Sequence, residues 1–166
     1  MLSDNIVNRD EDELAFLESM TNHIKNEYEL DEECRSQLFD FLTEINRSDK
    51  REAKSRLTNL IVHMLKLKYQ PQRTSWSWIS TINNQSFELR SIMSISPSMK
   101  RVLEDDFEEI YIQAVKNASI ETRLSKNSFP SECEFTVDEL LNVDFIDNFI
   151  DEYASKSTNP YFDYTK

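Results

Sequence analysis

Residues 48–71 read SDKREAKSRLTNLIVHMLKLKYQP, and the fold class turns on them. Ala53, Leu57, Leu60, Ile61, Met64 and Leu65 recur at intervals of three and four, the period of an α-helix with one apolar face. Ser48 or Asp49 supplies a start signal. Pro71 supplies the stop, because the residue before a proline is pushed out of helical geometry. Arg56, Asn59, His63, Lys66 and Gln70 follow one another at spacings of 3, 4, 3 and 4 and mark a polar row on the opposite side of the same helix.

Towards the N-terminus, Leu14, Leu17, Met20 or Thr21, and Ile24 predict a helix over Asp10 to Asn26, with acidic residues 10–13 favourably placed against its dipole. Asp31 can cap a second helix whose first turn holds Glu32 and Glu33 and whose apolar stripe is Cys34, Leu38, Phe41, Leu42 and Ile45. That helix is expected to stop near Asn46–Ser48, since asparagine is the usual substitute for glycine at a left-handed helix end. Towards the C-terminus, a fourth helix is expected over Ser75 to Ser94 with Trp78, Ile82, Leu89 and Met93 inward. Ser96-Pro97 then opens a fifth that runs to about Leu124, with Leu103, Phe107, Ile110, Ala114 and Ala118 on its core side. Pro130 breaks a loop over Ser125 to Cys133, and Thr136 with Glu139 forms a capping box for a last helix through Phe145, Phe149 and Tyr153. No stretch alternates with period two. The expectation is an all-α fold: a single helical bundle of about six helices in one domain over 1–155, followed by a flexible C-terminal tail over 156–166.

Composition narrows the function. The 166 residues include no glycine. Gly-rich phosphate loops, dinucleotide fingerprints and Gly-containing nucleophile elbows need backbone without a Cβ, so none is present in standard form. The net charge of −12 is segregated: residues 1–46 carry −10, residues 47–101 carry +8 and residues 102–166 carry −10. Direct nucleic-acid binding is disfavoured, because most of the surface would repel phosphates. No apolar run exceeds the four residues Leu14–Leu17, too short to cross a membrane, and the acidic N-terminus is no secretory signal; the expected location is cytoplasmic, with Cys34 and Cys133 reduced. Neither histidine follows a glutamate by three residues, the pattern of bundle di-metal sites, and zinc spacings are missing, so neither metal nor cofactor is expected.

Several short motifs stand in a fixed order: Arg56-Leu57, His63-Met64-Leu65-Lys66, YQPQR over 69–73, SWSW over 75–78, SPSM over 96–99, an acidic helix, FPSEC over 129–133, and a Thr-led helix ending at Asp144-Phe145. In this order they resemble the bacterial family catalogued as domain of unknown function 29, over about residues 30–146. The resemblance implies an all-helical fold and brings no biochemical activity with it. Relatives often carry glycine near the positions of Asn46 and Arg123.

The strongest candidate site is the end of the 48–71 helix and the turn after it: His63, Lys66, Tyr69, Gln70, Arg73, Ser77 and Trp78. His63, Lys66 and Gln70 share a face, and Arg73 beyond Pro71 can curl back across it to hold a phosphate or carboxylate. The plainer reading is a structural corner in which Lys66 or Arg73 pairs with Asp105, Asp106, Glu108 or Glu109. No nucleophile is matched to His63, and Cys133 reads as a loop-packing residue. The leading expectation is therefore a non-enzymatic interaction module that binds another protein, of adaptor, antitoxin-like or immunity-like kind. The runner-up is a small enzyme or binder of an anionic or phosphorylated ligand at the His/Lys/Gln/Arg corner. A third reading has the acidic faces stand in for nucleic-acid phosphates.

Overall fold

The computed structural model describes residues 9–26 and 32–164, without the side chains of Ile24, Asn26 and Cys34. The expected cap at Asp31 and the side chain of Cys34 therefore lie outside the described residues. Seven α-helices and no strand occur among the described residues: α1 Glu13–Asn26, α2 Glu32–Tyr69, α3 Trp76–Ile95, α4 Met99–Asp105, α5 Phe107–Thr122, α6 Val137–Leu141 and α7 Val143–Ala154. The fold is an all-α bundle.

One helix organises it. The two helices expected on either side of Asn46–Ser48 are a single 38-residue helix, α2. The seam of α2 continues through the supposed break: Phe39, Leu42, Asn46, Asp49, Ala53, Leu57, Leu60, Met64 and Leu67 follow at three- and four-residue steps, with polar side chains at two of them. Asn, Ser and Asp each cost only a few tenths of a kcal/mol in a helix, and without Gly or Pro nothing forces an end. α1 packs along this segment, and Lys50 reaches across to Glu18 of α1 at 2.5 Å. Packing thus overrides a weak local stop.

In its second half α2 is enclosed. Leu60, Ile61, Val62, Met64, Leu65, Lys66 and Leu67 are all buried, so the residues point in every direction around the axis and each direction is covered. α3 and α5 supply most of that cover, with α4 and α7 completing it. A helix buried all round is the axis of the bundle, and its polar row must then be satisfied internally.

The expected fifth helix is interrupted. Asp106 leaves helical geometry between α4 and α5, with its carboxylate drawn to Lys54 of α2. The last helix is likewise divided at Asn142, whose side chain accepts from the Phe145 amide and caps α7. The capping box at Thr136 and Glu139 forms in both directions. Asp12 caps α1 by accepting from Ala15 N, and also accepts from the amide and hydroxyl of Ser98, tying the start of α1 to the α3–α4 turn. Residues 157–159 hydrogen-bond to the carbonyls of Pro71 and Thr74, and Trp76 packs 5.1 Å from Phe162 and 5.7 Å from Tyr164.

Arg123 ends α5 with φ 62° and ψ 19°, the only positive φ among the described residues. This is a position where glycine is favoured, because an L-residue there brings its Cβ against the following carbonyl at about 1–2 kcal/mol. The Arg123 side chain is exposed, so little packing is lost with it. Arg123→Gly is expected to stabilise the chain by about 0.5–1 kcal/mol. A urea midpoint that stays put or falls would refute this.

Candidate functional site

The polar row on α2 becomes a seam between α3 and α5. At its N-terminal end Arg56 pairs with Glu52 at 2.8 Å and approaches Glu88 of α3 at 3.9 Å. Arg56 and Asn59 line a cleft of about 470 Å³ together with Gln85 of α3 and with Asn117 and Glu121 of α5. One turn on, Nδ1 of His63 lies 3.0 Å from the Asn59 carbonyl and is placed to donate to it. Burial pushes the His63 imidazole below its usual range and Lys66 adds to this, while the Asn59 carbonyl and Glu121 oppose it. The ring is therefore neutral at pH 7.

Lys66 is buried, its ammonium 2.6 Å from the Glu121 carboxylate and 4.7 Å from the centre of the Trp78 ring. Gln70, also buried, donates from Nε2 to the Thr122 carbonyl at 3.0 Å, and its Oε1 has no hydrogen-bond partner among the described residues. His63, Lys66, Gln70 and Trp78 thus lie along one internal seam, with α5 supplying the partners of Lys66 and Gln70. Lys66 pairs with Glu121 and not with Asp105, Asp106, Glu108 or Glu109; of these four, all but Asp106 are exposed.

The other three members of the expected corner go elsewhere. Tyr69 stacks edge-on against Phe129 at 5.4 Å and reaches Glu134 at 3.3 Å, beside Lys68, which pairs with the same carboxylate. Arg73 sits exposed in a single turn of tight helix over Pro71–Arg73, and its guanidinium makes no ion pair with a described residue. Ser77 is exposed, its hydroxyl shared with that of Ser75 at 3.0 Å. Cys133 is free and half-buried, and burial pushes its thiol up. Two features escape a reading of the sequence. Glu121 stands 55 residues from Lys66, and nothing local marks it as the partner. Arg47, Lys50, Arg51 and Lys54 stand on one face of α2 beside α1, at a spacing visible in the sequence but split there by the supposed helix end.

The order of motifs along α2, the tight turn and α3 agrees with a match over the chain itself. The family model described as Domain of unknown function DUF29 matches residues 10–146. The chain belongs to this family. The DUF29 match begins at residue 10 rather than near 30, so α1 too is part of the family domain. Residues 63–78, within the matched span, form the end of α2, the tight turn and the start of α3, where Lys66, Tyr69 and Gln70 have partners within the chain. No curated protein and no solved structure matches the chain. Among the described residues no helix is long and apolar enough to cross a membrane, and no group of three or more His, Cys, Asp or Glu side chains is arranged to hold a metal ion.

Proposed function

We propose that this DUF29 chain is a non-enzymatic interaction module that binds another protein through the hairpin of α1 and the first half of α2. The observation that carries this reading is the incomplete cover on that hairpin. Leu14 is the only fully buried hydrophobic residue described in α1, while Phe16, Leu17 and Met20 are half-buried. On α2, Phe39, Leu42 and Ile45 are half-buried, Leu38 is exposed, and Phe41 is 62% exposed. From Ala53 to Leu67 the same helix buries its apolar side chains completely. Aromatic and aliphatic side chains left open on adjacent helices are the usual material of a protein interface, and a helix of the partner laid along the hairpin would cover them. The corner at His63 to Arg73 supports an enzyme or ligand site less well, since Lys66, Gln70 and Tyr69 each go to a different internal partner.

The test is affinity capture of the tagged full chain from cells that produce it, in parallel with the Leu38→Glu, Phe41→Glu double variant. Both positions are exposed, so the variant is expected to fold. A protein retained by the parent chain and lost from the variant is the expected result. Recovery of the chain alone across several salt concentrations, or a partner held equally by both, would overturn the reading.

A further inference from the structure

One row on the outer side of α2 changes chemistry along its length. Leu38, Phe41, Ile45, Asp49 and Glu52 follow one another at steps of three, four, four and three, which puts them in line on one face of the helix. The row is about 21 Å long, four turns. Its first part is apolar: Leu38 and Phe41 are exposed and Ile45 is half-buried. Its last part is acidic, with the carboxylates of Asp49 and Glu52 both on exposed residues.

At the acidic end the row meets the other helices. Asp49 and Glu52 border a recess of about 150 Å³ together with Glu13 of α1, Ile92 and Ile95 of α3, Ser96, and Met99 of α4. Ser96 and Met99 are buried and form its inner side, while Ile95 is 55% exposed at its edge. Glu52 is shared with Arg56 at 2.8 Å and Glu13 with the exposed Arg9 at 3.3 Å, whereas Asp49 makes no ion pair with a described residue. Burial, and after it the charges of Glu13 and Glu52, push the Asp49 carboxyl above its usual range. Carboxylates from two helices are thus held side by side with one charge left unbalanced. The recess is well below the roughly 300–1,000 Å³ of a small-molecule pocket, and its scale is that of a single long side chain. Lysine and arginine have the matching form, an apolar stem that lies on Ile92 and Ile95 under a cationic head that meets the carboxylates.

We infer that the occupant of this row is an amphipathic helix of another protein whose apolar stripe ends in lysine or arginine. Its apolar side chains cover Leu38, Phe41 and Ile45, and its terminal cation enters the recess among Glu13, Asp49 and Glu52. The inference rests on the reading of the hairpin as a protein interface and adds the chemistry of the partner to it. A second copy of the chain fits less well, because the hairpin it would bring lies within residues 1–46, which carry −10.

The experiment is fluorescence anisotropy of labelled helical peptides titrated with the full chain. The peptides are four turns of leucine and alanine, with the leucines at steps of three and four and two lysines in either the last or the first turn, so that both helix directions can be met. At least one lysine-ended peptide is expected to bind, and its glutamate-ended counterpart and a scrambled peptide of the same composition are not. Asp49→Asn with Glu52→Gln, exposed and nearly isosteric, is expected to weaken binding about fivefold, the size of two exposed charge pairs. Leu38→Ser with Phe41→Ser is expected to abolish it; serine is chosen because added carboxylates would themselves attract the lysines. Equal binding of lysine- and glutamate-ended peptides overturns the inference and needs no variant to be read. An unchanged affinity in the Asp49→Asn, Glu52→Gln chain overturns it as well, while loss from the serine variant alone leaves the hairpin reading standing. Binding of the scrambled peptide would reduce the effect to attraction by the net charge of −12 and overturn it. A chain that binds no peptide overturns it too, and one that sediments as a dimer undone by the serine variant shows a second copy on the row instead.

Discussion

Replacing Ser48 by proline is expected to lower the unfolding free energy by about 3 kcal/mol. Ser48 lies in the interior of α2, where its N–H belongs to the intrahelical ladder. Proline removes that bond and drives its ring against the carbonyl four residues earlier. The serine side chain is exposed, so no packing is lost with it and the effect reports the backbone alone. The same substitution separates two architectures. Were there a break at Asn46–Ser48, proline at 48 would sit at or just before a helix start, where it is tolerated and even favoured. Urea unfolding measures the difference, and amide exchange over residues 36–47 locates it, since those amides lie N-terminal to the lesion and their segment packs chiefly on α1. A loss below about 1 kcal/mol would restore the two-helix reading.

That contrast shows what kind of information a single sequence carries. Periodicity marked the helical segments, and covalent punctuation marked its own ends: Pro71 closes α2, and Thr136 with Glu139 opens α6. Soft signals did less well. Asn46 read as a helix stop on local preference, yet it occupies a seam position against α1, and the packing of a whole helix outweighs a few tenths of a kcal/mol of propensity. The breaks at Asp106 and Asn142 depend on groups whose roles only folding reveals, a lysine 52 residues away in one case and a side-chain cap in the other.

The candidate site was legible as a row and illegible as an environment. Spacing placed Arg56, Asn59, His63, Lys66 and Gln70 together, and the protein keeps them together. Spacing has no means of counting neighbours, however, and a polar face opposite an apolar one reads as solvent-facing. Because α3 and α5 close over α2, that face became an interior seam, which buries Lys66 and Gln70 and turns their donors towards α5. Arg73 escapes the seam because the tight turn that begins at Pro71 carries it outside the bundle.

Glu121→Ala is expected to cost about 3 kcal/mol, whereas Lys66→Met is expected to cost less than about 1 kcal/mol. The asymmetry follows from burial. The Lys66 side chain is 9% exposed and that of Glu121 45%. Removing the carboxylate leaves the ammonium in the seam without its counter-charge, and the cation–π contact with the Trp78 ring, about 1–2 kcal/mol, does not replace it. Removing the ammonium leaves a carboxylate that water already reaches. Methionine keeps the apolar stem and offers its sulfur to the indole. The double variant Lys66→Met, Glu121→Ala is expected to return close to the stability of Lys66→Met, giving a coupling of roughly 3 kcal/mol in the cycle. Denaturant midpoints for the four chains measure it; additive losses would mean that Lys66 does not depend on Glu121. A stable Lys66→Met chain has a second use. It is a folded protein without the ammonium, so any partner lost from it in affinity capture is lost through recognition chemistry at the seam rather than through unfolding. A partner retained by Lys66→Met and released by the Leu38→Glu, Phe41→Glu variant places binding on the hairpin and leaves the seam its structural task.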